Sequence, residues 1–284
     1  MKGILPLIFL ILALISCNQS SPPSSSPVGE LYAWCIVPFD SKERSPEERI
    51  AMLTRLGIDQ YAYDWREKHL PEMATEWALA EAQGIEVMSV WMWFDQRQDS
   101  VGHLSSANEK VWETLKETQL KTHLWVSFNS NFFEGLAHEE AVKKGVEMIS
   151  YICQRADSLG LKIGLYNHGD WFGEPQNQIE IIKALPNCDL GLIYSFHHAH
   201  DQLDYYEELV DTMLPYLWAV NLNGMRKDGP QILPIGAGDR EKGMITYLLE
   251  KGYSGPFGVL GHVEERDVEV VLKENLEGLS SLGL

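Results

Sequence analysis

Short β-rich apolar runs alternate with longer amphipathic stretches along the chain from residue 31 onward. The apolar runs lie at residues 31–37, 58–63, 85–93, 122–128, 161–166, 189–195, 216–222 and 256–260. The stretches between them carry helix signals, such as Ser45-Pro46 before a helix and Gly57 after it. Eight strands alternating with eight helices over about 250 residues predict an α/β fold, the (β/α)8 TIM barrel. A doubly wound open sheet is the alternative, but it would need an early phosphate-binding glycine turn, which the sequence lacks.

The N-terminal residues have the pattern of an export signal. Lys2 precedes an apolar run at residues 4–15 that is too short to span a membrane but suits a signal peptide. The run ends in Leu14-Ile15-Ser16-Cys17, which resembles the lipobox of bacterial lipoproteins. The resemblance implies a signal peptide at residues 1–16 and lipidation of Cys17, with an ordinary secretory signal or a short anchor as the alternative. Residues 17–29 then form a Ser/Pro-rich tether, and residues 30–284 form the barrel domain.

The expected location and partners follow from the same pattern and from charge. We expect an exported protein that is lipid-anchored to a bacterial membrane, on its periplasmic or cell-surface side. The chain has 41 acidic and 23 basic residues, for a net charge of −18. A surface of that sign repels phosphate backbones, so nucleic acid is not expected as a partner. Beyond Cys17 there are three cysteines without paired spacing, which indicates neither a disulfide framework nor a zinc site.

Polar and aromatic side chains recur where the predicted strands end. The C-terminal ends of the strands form the active face of a TIM barrel, so these side chains are expected to converge there. They are Asp64, Trp65, Trp91, Trp93, Asn167, His168, His197, His198, His200, Asn221, Asn223 and His262.

Several segments resemble the xylose-isomerase-like TIM barrels. These segments are "GPFGVLGHVEERDVEVVLKENLEGL" (255–279), "NHG" (167–169) and "ILPIGAGD" (232–239). That superfamily contains sugar phosphate isomerases and epimerases and also endonuclease IV. Within it, "YNHGDWFGEP" (166–175), "FHHAHD" (196–201) and "NLNGM" (221–225) are similar to a subgroup of exported bacterial proteins described as sugar phosphate isomerase/epimerase.

The resemblance implies a divalent metal, but the chain departs from the pattern of its ligands. The superfamily holds the metal with a glutamate, an aspartate, a histidine and a glutamate at the ends of strands five to eight. This chain has Tyr166, Ser195, Asn221 and either Leu260 or Gly261 at those positions. None of these is a good ligand for a hard divalent ion, which prefers charged oxygens. We therefore expect that the metal site of the superfamily is lost in this chain, and the sequence indicates no definite cofactor.

Histidines lie just past the lost ligand positions, and they allow three hypotheses. His168, His198, His200 and His262 could form a rebuilt zinc-like or nickel-like site. They could instead perform metal-free acid–base chemistry, or form a hydrogen-bonded rim that only binds a ligand. Asp64, Glu174 and Glu264 are the nearby acids. His197 is predicted to point to the opposite side of the strand end and to be structural.

The aromatic residues favour a sugar ligand. The C–H faces of a pyranose stack on aromatic rings, and Trp65, Trp91, Trp93 and Trp171 all fall at strand ends or in the loops beyond. The segment "PIGAGD" (234–239) is compatible with a phosphate-binding turn, but Arg240 is its only close base, and the same glycines suit a helix entry. We therefore expect a sugar or glycoside ligand rather than a sugar phosphate.

Two functions remain open from the sequence. The first is an exported carbohydrate-active enzyme that abstracts a proton next to the carbonyl of a sugar or oxidised glycoside, giving isomerisation, epimerisation or β-elimination. In it His168 and His198 are base and acid, His262 and Asn167 are donors, and Asp64 orients them. The predicted substrate-binding residues are Trp65, Trp91, Trp93, Asn167, Trp171, Glu174, His200, Asn221 and Asn223. The second is a non-catalytic carbohydrate-binding lipoprotein that has lost the metal site. DNA repair in the manner of endonuclease IV is opposed by the acidic charge.

Overall fold

Eight parallel strands close into a barrel in the computed structural model, which describes residues 27–284. The strands are β1 (Leu31–Trp34), β2 (Gln60–Tyr63), β3 (Glu86–Phe94), β4 (His123–Phe128), β5 (Lys162–Tyr166), β6 (Leu190–Ser195), β7 (Leu217–Leu222) and β8 (Phe257–Leu260). Strand β1 closes the barrel against β8, in a register that runs from Leu31 opposite Phe257 to Trp34 opposite Leu260. The predicted TIM barrel is confirmed. The predicted signal peptide, Cys17 and most of the tether lie outside the described residues.

Helices follow the strands on the outside of the barrel. Within residues 27–284 they are α1 (Pro46–Leu56), α2 (Met73–Ala82), α3 (Ser106–Thr118), α4 (His138–Asp157), α5 (Asp170–Gly173), α6 (Pro175–Ala184), α7 (Tyr206–Met213), α8 (Glu241–Glu250) and α9 (Val268–Ser281). The short α5 is additional to the eight predicted helices. Pro175 separates it from α6, because proline fits the first turn of a helix but cannot continue one. None of the helices in this range is both long and apolar enough to cross a membrane.

The predicted helix signals act locally as expected. The Ser45 hydroxyl accepts a hydrogen bond from the N–H of Glu48, and the Glu48 carboxylate accepts one from the N–H of Ser45, which completes a capping box at the start of α1. Gly57 ends the helix in the left-handed conformation, with φ of 68°. These caps fix where α1 begins and ends, and so fix the length of the connection that leads into β2.

Aromatic side chains fill the interior of the barrel. Tyr32, Trp34, Trp91, Trp125 and Tyr166 form a core there, separate from the larger core between the sheet and the helices. Glycines on neighbouring strands make room for these rings: a Cβ at Gly258 would lie 2.5 Å from the Tyr32 ring, and one at Gly164 would lie 3.0 Å from the Trp125 ring. The interior is therefore a packed support for the residues at the C-terminal mouth.

Candidate active site

A cavity of about 570 Å³ opens at the C-terminal ends of the strands. Its volume is in the range usual for small-molecule sites. The lining includes the aromatic side chains Trp34, Phe39, Trp65, Trp91, Trp93 and Tyr166, the imidazoles of His168, His197, His198 and His262, and the charged side chains Asp64, Arg66, Glu67, Asp95, Asp99 and Glu264.

Four imidazoles from the loops after β5, β6 and β8 form a contiguous group on one side of the cavity. The ring centroids of His168 and His198 are 4.3 Å apart, those of His198 and His197 are 4.2 Å apart, and those of His197 and His262 are 5.0 Å apart. We call these four residues the histidine cluster. The side chains after β5 and β6 meet because those strands are paired neighbours. The structure thus brings together three of the predicted catalytic histidines and adds His197.

A tight turn after β5 places His168 at the cavity. Its N–H donates to the carbonyl oxygen of Tyr166 at 2.8 Å. Gly169 and Asp170 then adopt positive φ values of 41° and 52°. A non-glycine residue in this region is uncommon and tends to occur where function constrains the backbone. The turn holds the His168 ring against the edge of Trp93, with ring centroids 4.7 Å apart.

Burial keeps the histidine cluster uncharged at neutral pH. Loss of solvation lowers the pKa of His262 to about 4 and that of His197 to about 3, and it lowers the pKa of His198 well below its usual value. Burial also lowers the pKa of His168, but Asp170 and a main-chain hydrogen bond act in the opposite direction. Neutral imidazoles can accept protons, and the surroundings of His168 are the ones that best stabilise its protonated form.

The predicted orientation of His197 is wrong. If the strand continued through residues 197 and 198, their side chains would point to opposite faces, because alternate residues of a strand do so. Strand β6 ends at Ser195, however, and residues Phe196–His198 form a 3₁₀ turn. Successive side chains in a 3₁₀ helix are only about 120° apart, so adjacent residues can share one side. The His197 and His198 rings accordingly stack at an interplanar angle of 24°.

Asp64 lies across the barrel mouth from the strand end that precedes His197 and His198. It follows β2, which lies four strands from β6 in the closed eight-stranded order. Its Oδ1 accepts a hydrogen bond from the N–H of Val37 at 3.3 Å, while its buried Oδ2 has no partner among the described residues. Burial raises the pKa of Asp64 to about 6, and Arg66 opposes this rise. A carboxyl group with a pKa this high is suited to act as a general acid.

Tryptophan rings form a wall between the two polar sides. Trp91 and Trp93 are stacked, with ring centroids 6.2 Å apart and an interplanar angle of 22°. The Trp65 Nε1 donates to the carbonyl oxygen of Trp91 at 2.7 Å, which fixes the Trp65 ring at the cavity edge. Trp34 packs on Trp91 at 5.6 Å. Trp34, Trp65 and Trp91 are buried, whereas Trp93 is partly exposed, so the Trp93 ring offers most of the aromatic surface that a sugar could contact.

Tyr166 forms part of the cavity floor. Its hydroxyl accepts a hydrogen bond from Trp34 Nε1 at 2.9 Å. The side chains of Ser195 and Asn221 approach the same hydroxyl, but Ser195 Oγ and Asn221 Nδ2 complete no hydrogen bond of ordinary geometry within residues 27–284. Asn221 Oδ1 accepts from the hydroxyl of Tyr32 at 2.7 Å. Asn221, a predicted substrate-binding residue, is therefore buried below Tyr166 and does not line the cavity.

This floor occupies the positions where the resemblance implies metal ligands, and it does not fit a hard cation. Tyr166, Ser195 and Asn221 supply no carboxylate oxygen. Burial raises the pKa of Tyr166 well above its usual value, so its hydroxyl stays protonated. Within residues 27–284, no group of three or more histidine, cysteine, aspartate or glutamate side chains is arranged to hold a metal ion. The histidine cluster therefore lacks the arrangement that the rebuilt metal site requires.

Asn167 connects two strand ends and does not line the cavity. Its Oδ1 accepts from the N–H of Ser195 at 2.7 Å, and its Nδ2 donates to the carbonyl oxygen of Ser195 at 3.2 Å. The side chain is buried and uses both ends of its amide in these bonds. Asn167 was predicted as a donor to substrate, but the structure places it as a cross-link between the ends of β5 and β6.

His200 and Asn223 also lie away from the cavity. The chain after β6 continues from one 3₁₀ turn into a second, His200–Tyr205, which carries His200 toward the β7–α8 loop. There its Nε2 donates to the carbonyl oxygen of Arg226 at 2.6 Å. The Nδ2 of Asn223 donates to the carbonyl oxygens of Gly224 and Gln231. Both side chains hold this loop together.

Trp171 lies in the short α5, and Glu174 immediately follows it. The Trp171 ring packs on Phe133 with centroids 4.7 Å apart. The Glu174 Oε2 accepts from Gln202 Nε2 at 3.2 Å. Neither side chain lines the cavity. Helix α5 begins two residues after His168 and turns these side chains toward the outer loops.

Some lining residues were not identified from the sequence. Trp34 ends β1 and follows the same strand-end pattern as Asp64, so the pattern could have found it. Asp95 and Asp99 follow β3 and also had this signal. Phe39 lies in a loop, where its ring packs on His262 at 3.8 Å and under the Arg66 guanidinium at 5.0 Å, and no pattern predicts that position.

Comparison with known proteins identifies the class of fold. No protein-family model and no curated protein matches the sequence. The structure of the 3-keto-D-glucoside 4-epimerase YcjR from E. coli matches with a TM-score of 0.68 and 14% identity, over 89% of this chain and 99% of that one. The IOLI protein with a bound zinc atom matches with a TM-score of 0.67 and 15% identity, over 89% and 98%. A xylose isomerase domain-containing protein from Salmonella typhimurium matches with a TM-score of 0.61 and 12% identity, over 91% and 98%. The chain has the xylose-isomerase-like TIM-barrel fold.

Proposed function

We propose that this protein is a sugar-modifying enzyme that abstracts a proton next to the carbonyl group of a sugar or oxidised glycoside. The observation that carries this proposal is a single cavity lined by tryptophans, by a cluster of neutral imidazoles and by a buried carboxyl group. Such chemistry needs a base on one face of the substrate, an acid on the other, and donors to the oxygen that gains charge. The residues that line the cavity are chemically suited to all three roles.

The base is His168 and the acid is Asp64. His198 cannot be the acid on the opposite face, because its ring centroid is only 4.3 Å from that of His168 and a sugar does not fit between them. His198 is instead a neighbour that orients His168. Asp64 replaces it as the acid, because Asp64 lies across the mouth and has a pKa raised to about 6.

The proposed reaction begins with proton removal by His168. A ring nitrogen of His168 takes the proton from the carbon next to the carbonyl. The C–H electron pair becomes a C=C bond to the carbonyl carbon, and the carbonyl π electrons move to oxygen. Proton transfer from Asp64 to the same carbon on its opposite face, with re-formation of the C=O bond, gives the epimer. For isomerisation, Asp64 protonates the former carbonyl carbon, the neighbouring hydroxyl becomes the new carbonyl, and its proton passes to the old carbonyl oxygen. For elimination, the C=O bond re-forms, a double bond forms to the β-carbon, and the β-substituent leaves with its bonding electrons and takes a proton from Asp64. Exchange with water then restores both groups.

The oxygen of the intermediate is stabilised by neutral donors. The Tyr166 hydroxyl accepts its bond from Trp34 and keeps its own proton available, while His262 lines the same cavity. Hydrogen bonds in a dry site are stronger than in water, so such donors can stabilise developing charge. The structurally similar protein YcjR is a 3-keto-D-glucoside 4-epimerase, which supports this reaction class.

We further propose that the protein acts outside the cytoplasm while anchored to a bacterial membrane by lipid on Cys17. The lipobox-like Leu14-Ile15-Ser16-Cys17 and the following Ser/Pro-rich tether support this location. The proposed ligand is a free sugar or glycoside, and nucleic acid is not a proposed partner.

Deuterium exchange tests the reaction without requiring its direction to be known. The protein is incubated in heavy water with D-fructose, D-tagatose and a 3-keto-glucoside, and incorporation at the carbon beside the carbonyl is followed by NMR. We expect incorporation into at least one of them, and a loss of about a hundredfold or more in His168→Gln and in Asp64→Asn. His103→Gln is the matched control, because His103 is exposed and outside the cavity.

The opposite result would favour the non-catalytic alternative. If these sugars raise the melting temperature but none exchanges deuterium, the protein binds carbohydrate without turning it over. In that case His168→Gln would weaken binding, as expected of a hydrogen-bonding rim. If His103→Gln loses exchange as strongly as His168→Gln, the assignment of the base is wrong.

A further inference from the structure

The turn between β7 and α8 holds a carboxylate of the protein itself. Glu241, the first residue of α8, accepts hydrogen bonds at Oε1 from the N–H groups of Gly236 and Gly238, both at 2.9 Å. Its Oε2 accepts from the N–H of Arg240 at 3.2 Å. The side chain is 2% exposed. Converging backbone N–H groups at a helix N-terminus are the arrangement by which proteins bind phosphate.

The glycines of this turn make room for that carboxylate. A Cβ at Gly238 would lie 2.3 Å from Glu241 Oε2 and 2.4 Å from the carbonyl oxygen of Met225. A Cβ at Gly224 would lie 2.2 Å from the carbonyl oxygen of Pro234. No side chain larger than glycine fits at either position without displacing the backbone. The "PIGAGD" segment, which sequence analysis considered as a phosphate site, is therefore built around Glu241.

We propose that this segment is an anion-binding turn filled by Glu241, so that it cannot hold a phosphate group of the substrate. The identity of the substrate rests on the proposed function, whereas the filled turn does not. Barrel enzymes commonly hold a substrate phosphate in the loops after strands seven and eight, next to a helix N-terminus. Here the three N–H groups that would bind it are already occupied by a buried carboxylate.

The charge of the cavity supports the same conclusion. Its lining carries five carboxyl groups, Asp64, Glu67, Asp95, Asp99 and Glu264, against the single guanidinium of Arg66. Arg97, outside the lining, pairs with Asp95, and four carboxyl groups still face one base. Arg66 also donates to the carbonyl oxygen of Trp65 and lies over the Phe39 ring. A phosphate ester carries up to two negative charges, so it would be repelled by such a lining. An uncharged sugar meets no such repulsion.

The first experiment empties the turn. In Glu241→Ala, three N–H groups lose their acceptor, and we expect the melting temperature to fall by roughly 5–10 °C. Inorganic phosphate should restore at least half of this loss, because it can occupy the vacated position beside Arg240, and it should not affect the wild type. Glu250→Ala, at the exposed end of the same helix, is the matched control and should show neither effect. A variant that folds but gains nothing from phosphate would overturn the anion-binding turn.

The second experiment uses the wild-type protein, so it does not depend on the folding of a variant. Binding and deuterium exchange are compared for D-fructose and D-tagatose and for their 6-phosphates. We expect the free sugars to bind at least tenfold more tightly than the esters. Tighter binding or faster exchange of the esters would overturn the inference while leaving the proposed reaction intact. If neither series binds nor exchanges, the substrate inference falls together with the proposed function, and phosphate rescue of Glu241→Ala still decides the nature of the turn.

Discussion

Replacing Asp64 with asparagine should change how the stability of the protein depends on pH. The carboxyl group is 2% exposed, and burial raises its pKa from 3.8 to about 6. Each pKa unit corresponds to about 1.4 kcal/mol, so keeping Asp64 ionised in the folded protein costs roughly 3 kcal/mol at neutral pH. Because the folded-state pKa is the higher one, the contribution of Asp64 to stability is present below about pH 3.8 and is lost as the pH rises through about 6.

The measurement is urea unfolding of the wild type and of Asp64→Asn, at about pH 4.5 and about pH 8. Relative to the variant, the wild type should lose about 2 kcal/mol of unfolding free energy between these two conditions. The comparison across pH cancels any constant cost of burying an amide. It also cancels the histidine cluster, whose lowered pKa values make both proteins less stable as the pH falls. Dilute protein is needed at the lower pH, because the sequence pI is about 4.9.

Parallel pH profiles for the two proteins would refute this reasoning. They would mean that Asp64 titrates normally in the folded state, and it could not then be the general acid. The expected profile, together with loss of deuterium exchange in the same variant, would show that the protein keeps a destabilising carboxyl group because its chemistry requires it.

Three further predictions concern other parts of the molecule. Asn167→Ala leaves the buried N–H and carbonyl groups of Ser195 unpaired, so it should lower the free energy of unfolding in urea by about 2–4 kcal/mol. The control Ser195→Ala removes an unpaired hydroxyl and should lower it by less than about 1 kcal/mol. Equal losses in the two variants would contradict the cross-link. Added magnesium or manganese should leave the melting temperature unchanged, because the floor around Tyr166 offers no carboxylate, and a rise of several degrees would reveal a hard-ion site. Cys17→Ser should move the protein from the membrane to the soluble fraction, and a variant that still sediments with membranes would contradict lipidation.

The fold was predictable because its signals are local and repeated. Each strand is a short apolar run, and caps such as Ser45 and Gly57 mark where the helices between them begin and end. The extra helix α5 was missed because it has only four residues, which is too short for any hydrophobic period to be visible. Pro175 gave a boundary signal, but proline can start a helix as well as stop one.

The sequence indicated which residues lie near the candidate site, but not the direction in which each side chain points. The strand-end rule points to His168, His198, His262 and Asp64, and these residues line the cavity because the C-terminal ends of all eight strands meet there. The rule fails for Asn167, which immediately precedes His168 but points into the sheet. Whether a side chain at a strand end enters the cavity depends on the turn that follows, and these turns depend on contacts distant in the sequence.

The side chains at the strand ends limit which substrates the proposed site can convert. A bound cation stabilises an enediolate by its charge, whereas Tyr166, His262 and a protonated Asp64 act only as hydrogen-bond donors. The neutral imidazole of His168 is also a weaker base than the hydroxide that a metal ion and a carboxylate can generate from bound water. A site with these groups can remove a proton only where a carbonyl already acidifies it. For the proposed reaction we therefore expect open-chain ketoses and glycosides already oxidised to a ketone as substrates, and an intact aldose ring should show no deuterium exchange even where it binds.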